Sequence, residues 1–263
     1  MIINKLNNIL IKPQLTGRKE SLKALIIAAG QGQRLSAICP SKPLLPVGRR
    51  PLIDWVIQGL QTAGIREVVV VTGYNREKLE DHLRVACSLE KMNLTFVHND
   101  EWQRENGLSV YKARPLLNDP FFLLMSDHIF DPAILELMLK TELKEDGVIL
   151  AVDYRTQNHL YVDLDDVTRV LVEEGKIKDI GKGLKLYNAF DTGIFLCQPV
   201  LFEALEQSQR QAGDYSLSGG IRVLAARSQA RAVDIGQRFW IDIDDPKALE
   251  KAENFLATGI SWL

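Results

Sequence analysis

Residues 23–48 read KALIIAAGQGQRLSAICPSKPLLPVG, an apolar strand followed by a loop with two glycines. The loop has the spacing G-x-G-x-x-L, so Arg34 and Leu35 stand where a dinucleotide-binding loop has its third glycine. The Gly-x-x-x-x-Gly-Lys-Ser/Thr motif of a P-loop does not occur. Prolines at positions 40, 43 and 46 restrict the backbone around Lys42. The stretch therefore predicts a loop that presents Arg34 and Lys42 to a triphosphate. The alternative is that both residues are solvated surface charges.

The rest of the chain alternates short apolar runs with helical patterns, which is typical of repeated βαβ units. The apolar runs are continuous, as expected for a parallel sheet covered on both faces. Predicted strands cover residues 24–29, 68–73, 94–98, 121–127, 147–153, 189–197, 231–235 and 240–244. Predicted helices cover residues 52–63, 77–89, 108–117, 133–143 and 199–207, with one more after the cap region Asp214/Ser216 and a last one from Pro246.

One segment departs from this alternation. Residues 167–181 read as two short strands joined by Glu174-Gly175, which predicts a β-hairpin inserted into the α/β pattern. We expect the hairpin to lie over the edge of the sheet where ligands bind. The predicted fold is therefore α/β, with three α/β/α layers and a mostly parallel mixed sheet that carries an inserted hairpin.

Length and composition limit the classes of function. The 263 residues, 46% of them hydrophobic, suit one large domain, which we place at residues 22–263 after an N-terminal arm of residues 1–21. The 32 Lys and Arg residues nearly balance the 34 Asp and Glu residues, which gives no reason to expect a nucleic acid or an anionic membrane as partner. We therefore expect small-molecule substrates.

Cysteine usage and hydropathy bear on the compartment. The three cysteines form no C-x-x-C pair, and no apolar run approaches the roughly 20 residues that a membrane helix requires. These features predict a cytoplasmic protein without a membrane span. The sequence leaves the oligomeric state open and is compatible with a homodimer.

Asp127 follows a strand that is apolar enough to be buried. In open parallel sheets, ligands bind beyond the carboxyl ends of the strands, where Asp127 would emerge. Burying an unpaired carboxylate is costly, and a hard cation such as Mg²⁺ would relieve that cost. Asp242, Asp244 and Asp245 precede the last helix, and each of them could instead cap it. We prefer the capping role for Asp245 and not for Asp242.

Several motifs share their order and spacing with one enzyme family. They are LIIAAGQGQRL at 25–35, SKPLLPVGRRPLIDWVIQGL at 41–60, ENGLSVYKAR at 105–114, LLMSDHIFD at 123–131, IGKGLKLYNAFDTGIF at 180–195 and FWIDIDDPKALEKAE at 239–253. In these motifs the chain resembles the sugar-nucleotide-type (MobA-like) nucleotidyltransferases, and most closely the CTP:inositol-1-phosphate cytidylyltransferases. The resemblance covers roughly residues 22 to 257 and implies a Rossmann-like nucleotidyltransferase fold.

The resemblance also implies roles for individual residues. Catalytic cations would be Arg34, Lys42 and Lys182, with Lys185 as the alternative to Lys182 in the glycine-flanked loop. Mg²⁺ would be held by Asp127 and Asp242, with Asp244 either as an additional ligand or as a residue just outside the ligands of the metal. CTP would contact Ala29, Gly30, Gly32, Asn106, Gly107 and Ser109, and the acceptor would contact Asp191, Thr192 and Gly193. Two of these assignments have structural alternatives, because Asn106 could simply cap a helix and Asp191 could simply shape the start of a strand.

The implied reaction is Mg²⁺-dependent transfer of a cytidylyl group from CTP to a small phosphorylated alcohol, most closely inositol-1-phosphate. An ionised phosphate needs no general base, so we expect His128 to pack or hydrogen-bond rather than catalyse. Phosphocholine, a phosphonate, or a sugar-1-phosphate with another nucleotide remain alternative substrates. Some relatives carry a membrane-embedded transferase whose spans are absent from this chain, so we expect a stand-alone enzyme or one excised domain.

Two other classes of protein were considered. A nucleotide sensor without catalysis would be expected to lack Arg34, Lys42 or the paired aspartates, yet all of them are present. A nicotinamide dehydrogenase would need the missing third glycine and an acidic residue at the end of the second strand. The nucleotidyltransferase is the function that the sequence favours.

Overall fold

The computed structural model describes residues 22–144, 147–157 and 159–259, so the predicted arm of residues 1–21 lies outside the described part. The helices are α1 Leu52–Thr62, α2 Arg76–Leu89, α3 Asn106–Lys112, α4 Ala133–Leu139, α5 Val200–Ala212, α6 Leu217–Ala226 and α7 Pro246–Ala257. The strands are β1 Lys23–Ala28, β2 Pro46–Val47, β3 Arg50–Pro51, β4 Glu67–Thr72, β5 Asn93–His98, β6 Phe121–Met125, β7 His128–Phe130, β8 Val148–Asp153, β9 Arg169–Glu173, β10 Lys176–Gly181, β11 Ala189–Cys197, β12 Ala230–Asp234 and β13 Trp240–Asp242.

Nine of these strands form one mixed sheet in the order β5-β4-β1-β6-β11-β8-β12-β10-β9. The strands β5, β4, β1 and β6 are parallel, and β12 is parallel to β8. Between β6 and β8 lies β11, which is antiparallel to both. Because β11 runs the other way, its beginning lies at the same edge as the carboxyl ends of β6 and β8. The predicted fold class is confirmed.

Helices cover both faces of the sheet because successive side chains of a strand point to opposite sides. In β1, Leu25 and Ile27 pack into the layer that contains α3, α5 and α6. Ala24 and Ile26 pack into the opposite layer, with α1, α2 and α4. Continuous apolar strands are therefore required here, since each face of the sheet is buried.

The hairpin forms at the predicted turn, where Glu174 and Gly175 have φ values of 49° and 72°. Two central residues with positive φ are typical of a type I′ turn. The expected position over the ligand edge was wrong, because β10 pairs with β12 and β9 pairs with the beginning of β11. The hairpin is thus part of the sheet. Only its open end adjoins the edge, where the register places Gly181 opposite Arg169 and Arg169 opposite Phe190.

Three helices have C-terminal ends that lie four or five residues from the predicted position. The helix α3 stops at Lys112, because Pro115 cannot donate the next backbone hydrogen bond and a 3-10 turn follows at Arg114–Leu116. The helix α4 ends at Leu139, after which the Thr141 amide bonds to the Met138 carbonyl in the 3-10 pattern. By contrast, α5 continues to Ala212 and ends at Gly213, which has a φ of 67°. Apolar periodicity alone does not locate such ends.

A smaller core holds the edge of the sheet together. It is formed by β7 and β13, which pair antiparallel, and by α7 and the loop after β1. Leu35, Trp55, Ile129 and Ile241 are buried in it. In this pairing Asp242 lies directly opposite His128, so the last strand is brought next to the end of β6.

Two further sequence expectations concern cysteines and membrane spans. Cys39, Cys87 and Cys197 are all free. Among the described residues, no helix combines the length and the apolar character needed to cross a membrane.

Candidate functional site

A cavity of about 500 Å³ opens at the edge where β6 and β8 end and β11 begins. This volume is within the range usual for small-molecule sites. Its walls come from segments that are far apart in the sequence: the loop after β1, the end of β6, residues 161–168, the ends of β10 and β13, and the first turns of α6 and α7.

Arg34 and Lys42 meet on the same carboxylate at one end of this cavity. The Nη2 atom of Arg34 is 2.6 Å from Oδ2 of Asp244, and the Lys42 ammonium bonds to Oδ1 of the same residue. Lys42 is also 2.7 Å from Oδ2 of Asp127 and is buried, whereas Arg34 lies in the cavity wall with 48% of its side chain exposed. The two cations predicted to contact a triphosphate therefore converge on the predicted metal carboxylates.

The carboxylates of Asp127 and Asp242 lie next to each other, with His128 between them. Nδ1 of His128 is 2.8 Å from Oδ1 of Asp127 and 3.9 Å from Oδ1 of Asp242. Ligand atoms of these three residues all lie within 4.8 Å of one another. The Asp242 side chain is 39% exposed, but its Oδ1 atom is buried and has no hydrogen-bond partner in the described part of the chain.

The electrostatics differ sharply between the two carboxylates. Burial alone would raise the pKa of Asp127, but the charge of Lys42 and the hydrogen bond to His128 hold that pKa far below its usual range. Burial raises the pKa of Asp242 to about 7, and the charges of Asp127 and Asp244 act in the same direction. The positive charges of His128 and Lys42 act in the opposite direction, but they do not outweigh the burial of Asp242.

The carboxylates around His128 favour its charged form. Burial alone would lower its pKa, but the charge of Asp242 and the hydrogen bond to Asp127 raise the pKa to about 9. A protonated imidazole donates a hydrogen bond and cannot accept a proton. The residue therefore has the hydrogen-bonding role expected from the sequence, and its ring also stacks 6.1 Å from that of Trp240.

The donor chemistry of Asp127 and Asp242 fits a magnesium ion. Mg²⁺ is usually bound by one or two carboxylates together with phosphates and water. The unpartnered Oδ1 of Asp242 is an oxygen of this kind, buried and poorly compensated. The imidazole of His128 is a poorer ligand for Mg²⁺, and its Nδ1 is already bonded to Asp127.

Of the two positions expected for Asp244, its contacts resemble the one just outside the metal ligands. One of its oxygens pairs with Lys42 and the other with Arg34, and it is not part of the cluster of Asp127, His128 and Asp242. Asp245, in contrast, caps α7 by accepting a hydrogen bond of 2.8 Å from the Ala248 amide, as expected.

Lys182 and Asp191 lie in the cavity wall at the open end of the hairpin. Lys182 follows Gly181 directly and lines the cavity, whereas Lys185 is exposed and does not line it. Burial raises the pKa of Asp191 to about 6, and its Oδ1 accepts a hydrogen bond of 2.8 Å from the Gly193 amide. Asp191 thus faces the cavity and also shapes the irregular start of β11.

The other two predicted acceptor contacts, Thr192 and Gly193, point to opposite sides because successive residues of a strand alternate in direction. Gly193 lines the cavity with Asp191. Thr192 points away, is fully buried, and donates a hydrogen bond of 2.8 Å to the Ala151 carbonyl.

Ala29, Gly30 and Gly32 do not line the cavity, although Arg34 of the same loop does. Gly32 has a φ of 63°, and a Cβ atom there would be 2.4 Å from Cβ of Lys42. A glycine is therefore needed to let the loop close over Lys42. Ala29 is buried and its carbonyl accepts a hydrogen bond from the Tyr74 amide, while no described atom lies within 4 Å of a Cβ placed on Gly30.

The predicted base-reading residues have contacts within the protein. Asn106 lines the cavity, and its side-chain oxygen caps α6 by accepting a hydrogen bond of 2.9 Å from the Leu217 amide. A Cβ atom on Gly107 would be 2.2 Å from the Tyr215 carbonyl oxygen, so packing of α3 already requires this glycine. Ser109 is buried and accepts a hydrogen bond of 2.9 Å from Asn99. The capping role considered for Asn106 exists, but on a different helix.

Sequence reasoning missed the segment before the hairpin. Residues 161–168 line the cavity, and Asp166 pairs with both Arg34 and Lys182. The signal was the acidic run DLDD at 163–166, which directly precedes the hairpin. The first turns of α7 also contribute Lys247 and Lys251 to the wall.

Comparison with known proteins identifies the family. The family model of the MobA-like NTP transferase domain matches residues 24–230. The chain belongs to this family. The nucleotidyltransferase resemblance read from the motifs is thereby confirmed.

Among curated relatives, the bifunctional IPC transferase and DIPP synthase of Aquifex aeolicus is 33% identical over 235 residues, covering 89% of this chain and 51% of that protein. The CMP-5'-(3-aminopropyl)phosphonate synthase of Streptomyces rubellomurinus is 32% identical over 248 residues, covering 88% of this chain and 38% of that protein. The chain thus spans about half or less of the length of these relatives.

Solved structures share the fold. The inositol-1-phosphate CTP transferase from T. maritima superimposes with a TM-score of 0.78 at 24% identity, over 92% of this chain and 99% of that one. A UDP-glucose pyrophosphorylase complexed with UDP-glucose gives a TM-score of 0.76 at 22% identity, over 91% and 99% of the two chains.

Proposed function

We propose that this protein transfers a cytidylyl group from CTP to inositol-1-phosphate, forming CDP-inositol and pyrophosphate. The observation that carries the proposal is the convergence of Arg34, Asp127 and Asp242 in the wall of a cavity that Lys182 also lines, with the buried Lys42 bonded to Asp127. The choice of CTP and inositol-1-phosphate is supported by the relatives named as an IPC transferase and an inositol-1-phosphate CTP transferase.

In the proposed reaction, a phosphate oxygen of the acceptor attacks the α-phosphorus of CTP. A new P–O bond forms, the bond to the bridging oxygen breaks, and pyrophosphate leaves with the electron pair. A phosphate monoester is largely ionised at neutral pH, so no residue has to remove a proton from it. The bond of 2.8 Å between Nδ1 of His128 and Asp127 agrees with this, because that nitrogen is already engaged within the protein.

The protein contributes mainly charge and position. Arg34 and Lys42 would neutralise the triphosphate, and Lys182 would bind the phosphate of the acceptor. Bringing two anions into line is the main difficulty of such a reaction, so preorganised cations supply most of the rate enhancement. We assign these three residues to catalysis.

Asp127 and Asp242 would hold Mg²⁺. The bound ion would neutralise charge on the phosphate oxygens as the α-phosphorus is attacked. Asp244, which is bonded to both Arg34 and Lys42, would keep these two cations beside the metal position.

We place the nucleotide along the loop Ala29–Gly32 and beside Asn106, and the acceptor beside Asp191 and Gly193. In this arrangement Gly107, Ser109 and Thr192 would support the walls from behind, because each of them is engaged with neighbouring protein atoms.

A phosphonate is the second candidate for the acceptor. It is favoured by the 32% identity to the CMP-5'-(3-aminopropyl)phosphonate synthase. A phosphonate presents the same attacking oxygens, so the same cations would serve it.

A substrate screen tests the proposal. The purified protein would be incubated with each of four NTPs and with inositol-1-phosphate, phosphocholine, glucose-1-phosphate or an aminoalkyl phosphonate, and pyrophosphate release and product mass would be measured. We expect the highest rate for CTP with inositol-1-phosphate. A clear preference for another pair would replace the substrate assignment, and no pyrophosphate release with any pair would contradict the function.

A matched pair of lysine variants tests the acceptor side. Lys182→Ala should lower kcat/KM for the acceptor about 10²-fold or more, as is common for the loss of a charged donor. Lys185→Ala removes the same charge from the exposed part of the same loop and should have little effect. The opposite result would transfer the role to Lys185.

A further inference from the structure

We infer that Asp166 is a positioning residue that links the two phosphate-binding cations, Arg34 and Lys182, and orients both toward the cavity. The inference rests on the proposed function, which assigns these cations to two different substrates. Each carboxylate oxygen of Asp166 bonds to one of the two cations: Oδ2 is 2.7 Å from Nη2 of Arg34, and Oδ1 pairs with the ammonium of Lys182.

Hydrogen bonds hold the backbone on both sides of Asp166. The amide of Val167 bonds to the Asp163 carbonyl at 2.9 Å, which closes a turn around Asp166. The amide of Asp191 bonds to the Thr168 carbonyl at 3.0 Å, which ties the same segment to the start of β11. Asp166 therefore has a fixed position between the loop after β1 and the end of β10.

Both cations keep donors free for a phosphate while they are bound to Asp166. Arg34 uses a single nitrogen, Nη2, for Asp166 and Asp244, and among the described hydrogen bonds its Nε and Nη1 atoms donate none. Lys182 has three N–H donors. Among the described hydrogen bonds it makes one, to Asp166, and 60% of its side chain is exposed. Phosphate groups can therefore bind to both cations without displacing the carboxylate.

Two effects of Asp166 on anion binding oppose each other. Its negative charge repels phosphate, whereas its two ion pairs keep two long side chains ordered that would otherwise lose freedom on binding. A comparison with the neighbouring Asp165 distinguishes the repulsion from the ordering. It lines the same cavity and carries the same charge, but among the described residues its side chain forms no ion pair.

The opposite hypothesis is that Asp166 competes with phosphate for the two cations. The hypotheses differ in sign: removing a competitor strengthens anion binding, and removing an anchor weakens it. Anion affinity in matched variants therefore distinguishes them.

The test is calorimetric titration of inorganic pyrophosphate, with magnesium present, into the wild type, Asp166→Asn and Asp165→Asn. We expect Asp166→Asn to bind pyrophosphate roughly tenfold more weakly than the wild type, because Lys182 loses its ion-pair partner and Arg34 keeps only the one to Asp244. Asp165→Asn should bind as tightly as the wild type or more tightly, because it loses only a repulsive charge. Asp166→Glu, which keeps a carboxylate, should recover part of the affinity.

Equal or tighter pyrophosphate binding by Asp166→Asn, relative to Asp165→Asn, would overturn the inference, as would a wild type that binds no pyrophosphate. Matching circular dichroism melts of the two asparagine variants would exclude a folding difference. Failure of the proposed function is a separate outcome, since it would appear as a wild type that binds pyrophosphate but forms no CDP-inositol.

Turnover provides a readout that a merely structural role would not give. In the active enzyme, Asp166→Asn should raise KM for CTP and for inositol-1-phosphate together, because the residue contacts one cation on each side. A change confined to one substrate would show that Asp166 does not link the two positions.

Discussion

Asp153 and Asp242 are two carboxylates at the strand β13: Asp153 bonds to Trp240 of this strand, and Asp242 is its last residue. Their hydrogen bonding is opposite in character. Asp153 is fully buried and accepts five hydrogen bonds, from the Arg155 amide, Nε and Nη2, from His159 and from the Trp240 indole, all between 2.7 and 2.9 Å. Asp242 has a buried oxygen that accepts no hydrogen bond from the described residues.

The difference separates a structural carboxylate from a functional one. A buried charge is tolerated when donors satisfy it, and the donors around Asp153 lower its pKa despite its burial. The raised pKa of Asp242 marks an oxygen that lacks compensation in the protein alone. Strongly perturbed groups of this kind tend to occur at functional sites. Substitutions at the two carboxylates should therefore have opposite effects on turnover and on stability.

The largest effect is expected at Asp242. Asp242→Asn should reduce turnover by about 10²- to 10³-fold, because it removes a proposed metal ligand. Its free energy of unfolding should be unchanged or higher, because an uncompensated charge is lost. Steady-state pyrophosphate release and urea unfolding measure the two quantities. A variant that turned over normally would remove Asp242 from the site.

The reverse pattern is expected at Asp153. Asp153→Ala should lower the free energy of unfolding by about 3 kcal/mol or more, since it leaves the buried Trp240 indole and His159 without their acceptor and removes the ion-pair partner of Arg155. Urea unfolding of the variant beside Asp242→Asn gives the comparison. If both variants lost the same stability, the contrast between the two carboxylates would not hold.

Magnesium should stabilise the wild type through Asp242. At ten times its Kd, the ion should add about 1.4 kcal/mol to the free energy of unfolding, which corresponds to a rise in melting temperature of roughly 3 to 5 °C. Thermal melts with magnesium or with EDTA measure the shift. We expect Asp153→Ala to retain the shift and Asp242→Asn to lose it, and an equal shift in all three proteins would place the ion elsewhere.

The smallest effect is the acid dependence of Asp153. Because its pKa in the folded state is below the unfolded value of about 4, its stabilising contribution is complete above that pH and is lost as the pH falls toward the folded-state pKa. The stability difference between the wild type and Asp153→Ala should therefore be about 1 kcal/mol smaller at pH 3 than at pH 7. Urea unfolding at both values measures it, and a difference independent of pH would argue against a charged Asp153.

Features that depend on neighbouring residues were predicted well from the sequence. The alternation of strands and helices, the turn at Glu174-Gly175 and the caps at Ser216 and Asp245 all follow from local periodicity or from one side chain bonding to a nearby amide. The loop with Arg34 and Lys42 belongs to the same group, because proline and glycine restrict or permit local backbone angles.

Features that depend on contacts across the chain were decided only by the tertiary structure. Arg34 and Asp244 are 210 positions apart, and they meet because β13 pairs with β7 over a core that α7 completes. The same pairing places Asp242 opposite His128 and leaves one of its oxygens unpartnered. Asp166 reaches Arg34 and Lys182 only because the hairpin closes onto the start of β11. Residue type indicated which side chains could do this chemistry, but only the packing of distant segments determined which of them meet.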